Sequence, residues 1–309
     1  MLAPIILFVY NRKDHTAHTL EALKQNKLAA ESSLFIFSDG AKSEEETEKI
    51  EDVRRLLYHY QKGNSFKNVQ IAETKSNRGL AASVISGVTK IISEYGKAIV
   101  LEDDIVTAPD FLIYMNKALE YYEKDQRIWS ISGYTLEMKS LKKYRQPVYF
   151  GYRASSWGWG TWKDRWELVD WEMKDYPDFI QDPERCKKFN RGGEDMCKML
   201  ACQMEGKIDS WAIRWCYHQS KRNMLTVYPS VSYVRNIGCD GSGTHSADSH
   251  MYDAELNSGM AVENKEDYFV APFLEDKIVK EFHDIFSGTF KIRVRNKIRK
   301  LFGKIKGEE

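Results

Sequence analysis

The chain has no apolar run long enough to cross a bilayer, no paired cysteine spacing, no internal repeat, and almost no net charge. Each absence removes a class of protein. The five cysteines, Cys186, Cys197, Cys202, Cys216 and Cys239, are odd in number and contain no Cys-x-x-Cys. Neither a disulfide framework nor a zinc site is indicated, and reduced thiols are expected. Lys and Arg number 46 against 45 Asp and Glu, so the net charge is +1. No nucleic-acid partner is expected from so balanced a surface. With 42% hydrophobic residues and only seven prolines, the chain is neither disordered nor of low complexity. At 309 residues it can bury a core without disulfide or metal staples. The apolar start, residues 4–10, is too short for a membrane span and lacks the basic lead and small-residue cleavage site of a signal peptide. It reads as a first strand, with a cytoplasmic location expected.

What is present is an alternation. Short apolar runs rich in β-branched residues, at 5–10, 33–38, 69–73 and 98–101, are separated by charged segments with helical spacing at 16–26, 44–60 and 80–95. This pattern predicts an α/β fold with a Rossmann-like, mostly parallel sheet flanked by helices. Ligands of such sheets sit outside the carboxyl ends of the strands. Polar clusters stand at those ends: Asn11-Arg12, Asp39-Gly40 and Glu102-Asp103-Asp104.

Beyond residue 130 the strands shorten, to 128–132 and 148–152, and glycine and aromatic clusters take over. This half is expected to form an acceptor-side region on the same core. In Ser155-Ser156-Trp157-Gly158-Trp159-Gly160-Thr161-Trp162, three indoles alternate with glycines. Trp157 and Trp159 suit a shaped pocket wall, and a buried aromatic corner is the competing reading. Residues 291–306 carry eight Lys or Arg and no acid, with Val294, Ile298, Leu301 and Ile305 spaced for one helical face. A C-terminal basic amphipathic helix of this kind would lie on an anionic membrane surface at the inner face of the cytoplasmic membrane, or pack on the domain as a solvated tail.

Three consecutive carboxylates after an apolar strand repel one another unless a cation sits nearby. Mn²⁺ or Mg²⁺ prefers oxygen ligands and is often completed by substrate phosphates, so one or two of these acids with a diphosphate would make a full shell. A solvated acidic turn before Pro109-Asp110 is the alternative for an isolated triplet. The position at the end of a buried strand favours the metal.

Four segments, Phe8-Val9-Tyr10-Asn11-Arg12, Ser38-Asp39-Gly40, Asn77-Arg78-Gly79-Leu80 and Leu101-Glu102-Asp103-Asp104, stand in an order and at a spacing that resemble the nucleotide-binding half of GT-A-fold glycosyltransferases. The Glu-Asp-Asp form is most similar to the inverting N-acetylglucosaminyltransferase I type and related bacterial sugar transferases. The resemblance implies a nucleotide-sugar-binding half at 1–130, an acceptor-binding half at 131–289 and a tail at 290–309. It implies transfer from a uridine-diphosphate sugar to a glycan or glycolipid acceptor, and the basic tail points to a lipid-linked acceptor in bacterial surface polysaccharide synthesis. Tyr10, Arg12 and Asp39 would then hold the uracil and ribose, with Arg78 near the diphosphate or base. Asp104 would be the direct metal ligand, and Glu102 and Asp103 would face the ribose and sugar hydroxyls. The Gly-rich loop from Asn236 ends in His245, which would reach the metal or the phosphates.

Inversion needs a base opposite the leaving diphosphate. Two segments compete. Gly192-Gly193-Glu194-Asp195 offers Glu194 and Asp195. The segment from Lys207 to Trp215 offers Asp209, flanked by Trp211 and Arg214 as acceptor-side walls, and resembles the acidic-Trp segment that carries the base in the N-acetylglucosaminyltransferase I type. Asp209 is the assignment the resemblance favours. A nucleotidyltransferase would carry a glycine-rich phosphate loop after the first strand, where this chain has Tyr-Asn-Arg. A catalytically inactive carbohydrate-binding protein would show no metal-dependent release of nucleoside diphosphate.

Overall fold

In the computed structural model the described residues are 1–238, 252, 254–257 and 268–287. His245 and residues 291–306 lie outside them, as does Cys239. The strands are β1 (Ile5–Val9), β2 (Ser33–Ser38), β3 (Asn68–Glu73), β4 (Lys97–Glu102), β5 (Ile105–Thr107), β6 (Ile128–Ser132), β7 (Val148–Gly151), β8 (Trp159–Trp162), β9 (Leu225–Pro229) and β10 (Val234–Asn236). The helices of the first half are α1 (Lys13–Lys24), α2 (Glu44–Lys62), α3 (Leu80–Tyr95) and α4 (Phe111–Tyr121). Those of the second are α5 (Lys163–Trp166), α6 (Tyr176–Ile180), α7 (Pro183–Phe189), α8 (Met196–Met204), α9 (Trp211–Lys221) and, among the described residues, α10 (Asp276–Phe286). None of these helices is long and apolar enough to cross a membrane.

Eight strands form one sheet in the order β3-β2-β1-β4-β8-β6-β9-β7. Every residue of β1 is buried, because helices cover both faces and an unbroken apolar run is the sequence that such burial selects. β1 pairs in parallel with β2 on one side and β4 on the other, with Val9 opposite Ser38 and Phe8 opposite Glu102. The chain therefore winds outward from β1 to β3 and returns to the other flank of β1. That reversal is a topological switch point, and the crevice at the carboxyl ends of β1 and β4 is where ligands of such sheets bind.

The second half joins the sheet in mixed directions. β8 runs antiparallel to both β4 and β6, with Val100 opposite Trp159 and Ile131 opposite Gly160. The segment with two competing readings is thus a central strand, and its side chains alternate across the sheet. Trp159, 1% exposed, stacks on Trp211 at 4.9 Å and lies 5.8 Å from Trp166. Trp162 points to the opposite face, where its indole N–H donates to the Leu119 carbonyl at 2.9 Å. Trp129 and Trp215, their centroids 4.2 Å apart, and Trp171, 4.7 Å from Trp166, belong to the same indole cluster. A two-stranded antiparallel sheet of β5 and β10, pairing Thr107 with Val234, ties the chain just after the acidic triplet to the loop that begins at Asn236.

Candidate active site

The carboxyl ends of the parallel strands enclose a cleft of about 460 Å³. Its walls include Tyr10, Asn11 and Arg12 after β1, Asp39 and Lys42 after β2, Asn77, Gly79 and Leu80 before α3, and Glu102, Asp103 and Asp104 at the end of β4. Trp157, Asn236 and Gly238 close it from the second half.

At the floor, Arg12 reaches across the switch point. Its Nη2 donates to Asp103 Oδ1 and, at 2.8 Å, to Asp104 Oδ2. Burial opposes a charged guanidinium, but the two carboxylates hold the Arg12 pKa above its ordinary value. The Asp103 carboxyl is raised by burial, and Arg12 counteracts that shift. Glu102 has no comparable partner: burial, reinforced by Asp104 and Asp103, pushes it up to about 8.

Backbone contacts fix this floor. Thr19 Oγ1 donates to the Asp103 carbonyl at 2.8 Å, and the Ile237 N–H to the Asp104 carbonyl at 2.9 Å. Gly238 packs directly against this pair: a Cβ there would meet the Asp104 carboxylate and the Arg12 guanidinium, and one of them would have to shift. Asp104 is 8% exposed, and its Oδ1 is buried without a hydrogen-bond partner. An orphaned carboxylate oxygen beside two more acidic groups, all hard oxygen donors, suits Mn²⁺ or Mg²⁺. Among the described residues no three His, Cys, Asp or Glu groups are arranged to hold an ion on their own. Donor phosphates would be needed to complete such a shell.

Asp39 sits differently from the expectation that it accepts from base or ribose. Its Oδ1 accepts from the Gly40 N–H at 2.9 Å, Thr74 Oγ1 at 2.7 Å and the Arg78 N–H at 3.0 Å. Its Oδ2 accepts from the Arg78 and Gly79 N–H groups, each at 3.0 Å. A carboxylate has about four lone-pair sites, so the protein itself uses the acceptor capacity of Asp39. Asp39 clamps the loop before α3 against the end of β2. Arg78 contributes its backbone N–H to this clamp, while its side chain is exposed and does not line the cleft.

Two wall residues carried no sequence signal of their own. Glu46 accepts from the Tyr10 hydroxyl and, at 3.0 Å, from Asn11 Nδ2, tying the loop after β1 to the first turn of α2. The hydrogen bond from Tyr10 keeps the Glu46 carboxyl below its usual pKa, while burial and then Glu46 raise the Tyr10 phenol to about 12. In sequence Glu46 reads as one of three acids that start a helix. Lys42 Nζ lies 5.8 Å from the Tyr10 ring centroid.

The expected catalytic and acceptor-side residues are dispersed. Asp209 is exposed at the rim, where its Oδ2 accepts from the Ala81 N–H at 3.2 Å at the start of α3. A Cβ on Gly79 would come within 3.0 Å of that oxygen, and Gly79 lines the cleft. Trp157 lines the cleft, whereas Trp159 and Trp211, at 1% and 3% exposure, are core. Arg214 donates to the Trp171 carbonyl at 2.9 Å and lies over the Trp171 ring, so it braces the core and forms no wall. Asp195 is held by both Nη groups of Arg153 at 2.8 and 2.9 Å, and Glu194 faces His283 Nε2 at 3.2 Å. Beyond Trp157 lies a second cavity of about 190 Å³, lined by Tyr134, Arg153, Ser156, Tyr228 and Phe282. Trp157 is the shared wall.

The site is thus a switch-point crevice with an acidic floor, an arginine across it and an aromatic wall beyond. Residues 1–206 match the model of the GNT-I family, and the chain belongs to that family. Among solved structures it is similar to residues 1–349 of S. aureus TarS in complex with UDP, at 12% identity, 76% of this chain, 60% of that chain and a TM-score of 0.44. TarS 1–349 alone gives 10% identity, the same coverage and a TM-score of 0.43. UDP-glucose pyrophosphorylase complexed with UDP-glucose gives 11% identity, 54% of this chain, 79% of that chain and a TM-score of 0.31. The chain spans less than two thirds of the TarS structures it matches. No curated protein matches the sequence.

Proposed function

We propose that the chain is a metal-dependent inverting glycosyltransferase that moves a hexose or N-acetylhexosamine from a uridine-diphosphate sugar to a glycan or glycolipid acceptor. The observation that carries this reading is the convergence of Arg12, Glu102, Asp103 and Asp104 at the switch point, with Trp157 between that cleft and a second, aromatic cavity. The donor diphosphate would lie against Arg12, and Glu102 would face a hydroxyl of the ribose or sugar. The acceptor would approach past Trp157. Its hydroxyl attacks the anomeric carbon from the face opposite the diphosphate, the bond from that carbon to the phosphate oxygen breaks with its electron pair leaving on the diphosphate, and the hydroxyl proton passes to a carboxylate.

Asp209 is the proposed base. Its Oδ2 is engaged at the N-terminus of α3, which leaves Oδ1 for the proton, whereas both oxygens of Asp195 are taken by Arg153. Asp104, with its unclaimed Oδ1, and Asp103 are the residues that would hold Mn²⁺ or Mg²⁺, which when bound would offset the charge of the leaving diphosphate. The test is release of UDP from UDP-glucose, UDP-galactose and UDP-N-acetylglucosamine, with and without Mn²⁺, by wild type and Asp209→Asn. Metal-dependent release that drops at least about 100-fold in the variant while UDP affinity holds supports the assignment. Unchanged release removes Asp209 as the base, and no release from any donor removes the activity.

A further inference from the structure

Two buried carboxylates side by side at a strand end need a counter-cation, and this chain supplies one of its own. Arg12 Nη2 bridges Asp103 and Asp104, whose side chains are 7% and 12% exposed. The main chain at Arg12 is pinned, since its carbonyl accepts from the Thr16 N–H at 3.0 Å and from Thr16 Oγ1 at 2.8 Å. The long side chain is free of that anchor and can reorient without moving the loop. Asp104 is therefore divided: Oδ2 belongs to Arg12, and Oδ1 is buried with no partner.

A guanidinium and a divalent cation cannot share these oxygens without repulsion, because both are positive and only a few ångströms would separate them. Without a nucleotide, Arg12 has no other anion among the described cleft residues with which it pairs. A bound diphosphate provides one, since planar guanidinium groups match phosphate oxygens. We propose that Arg12 is a positioning residue that competes with the divalent cation for Asp103 and Asp104 and yields to it when a nucleoside diphosphate arrives, so that metal and donor bind cooperatively. This inference rests on the metal-dependent donor reading above. It adds an order of events: the acidic site is neutralised from within until the donor is present, and free metal alone is held off.

The direct test is calorimetric titration of Mn²⁺ into wild type, Arg12→Gln and Arg12→Lys, first without nucleotide and then in saturating UDP. Without UDP, Arg12→Gln is expected to bind Mn²⁺ at least about 10-fold more tightly than wild type, a difference of ~1.4 kcal/mol. Arg12→Lys, which keeps the charge and loses the planar fork, should fall between them. UDP should tighten Mn²⁺ binding strongly in wild type and weakly in Arg12→Gln, and by linkage Mn²⁺ should tighten UDP by the same factor. A purely structural role for Arg12 would lower metal affinity on substitution and could not raise it. Equal or weaker Mn²⁺ binding by Arg12→Gln, in protein whose thermal melt matches wild type, overturns the competition while leaving the glycosyltransferase reading intact. If Arg12→Gln does not fold, Arg12→Lys binding Mn²⁺ no more tightly than wild type overturns it. Absence of Mn²⁺ binding in every protein, with and without UDP, overturns the metal-dependent reading and the competition together.

Discussion

Asp39→Asn separates a clamp from a ligand contact. Asp39 is 9% exposed, and its carboxylate gathers the N–H groups of Gly40, Arg78 and Gly79 and the Thr74 hydroxyl. In the amide, one acceptor oxygen becomes a donor. With the remaining oxygen on the Oδ1 side, Gly40, Thr74 and Arg78 keep an uncharged acceptor, and the Gly79 N–H faces an NH₂ group. The orphaned donor costs about 1–3 kcal/mol, and exchanging three charge-assisted bonds for neutral ones costs roughly 0.5–1 kcal/mol each. Because three of these four donors, the orphaned Gly79 N–H among them, are only partly buried, the lower half of that range applies, about 3 kcal/mol out of a typical ~5–15. Urea denaturation followed by far-UV circular dichroism measures it, with an unchanged m-value as the check that the unfolded state is the same. Release of the loop before α3 should also weaken UDP, since Asn77, Gly79 and Leu80 line the cleft. A variant within about 0.5 kcal/mol of wild type that nonetheless loses UDP binding would refute the clamp and make Asp39 a direct donor contact.

The two tryptophans of the Trp-Gly-Trp segment should respond in opposite ways. Trp159→Ala opens a cavity in the indole cluster and should cost ~3–5 kcal/mol by denaturation, whereas half-buried Trp157→Ala should cost ~1 kcal/mol or less and act on transfer instead. Stability should also fall on acidification through His218, which is 1% exposed. Its Nδ1 faces Arg222 Nη1, which can only donate, so Nε2 carries the proton and donates to the Asp170 carbonyl at 3.0 Å. Burial depresses the His218 pKa from 6.5 to about 4. The folded state thus resists a proton that the unfolded state accepts, so the contribution is present above pH ~6.5 and lost as pH falls to 4, by up to ~3 kcal/mol. Denaturation of His218→Gln at pH 7, 5 and 4 should show a flatter acid limb than wild type, and parallel limbs would refute the assignment.

The parallel half was legible because burial on both faces writes strands as unbroken apolar runs, as in Ile5–Val9, and because the polar clusters fall where such strands end. Glu102, Asp103 and Asp104 lie at the switch point for that reason. The second half was harder to read because its pairings are long-range and antiparallel. β8 is four residues, Trp159–Trp162, whose indoles fill opposite faces, and four residues fix no period by themselves. The β5–β10 pair joins segments more than 120 residues apart, beyond any local pattern. Within the cleft, sequence supplied residue types at strand ends but not their mutual partners. That Arg12 turns onto Asp103 and Asp104, that Asp39 is spent on Thr74, Arg78 and Gly79 as well as its neighbour Gly40, and that Glu46 holds Tyr10 all depend on groups meeting across 35 to 92 positions.

The assignment of the donor site stands or falls on Asp104. Calorimetric titration of UDP in the presence of Mn²⁺, into wild type and Asp104→Asn, tests it without knowledge of the acceptor or the sugar. If the switch-point crevice is a metal-assisted diphosphate site, wild type binds UDP with a metal-dependent affinity, and Asp104→Asn loses at least about 10-fold of it, ~1.4 kcal/mol, while its far-UV spectrum is unchanged. UDP affinity that is identical in the two proteins, or absent from wild type with every divalent ion tried, would contradict the assignment.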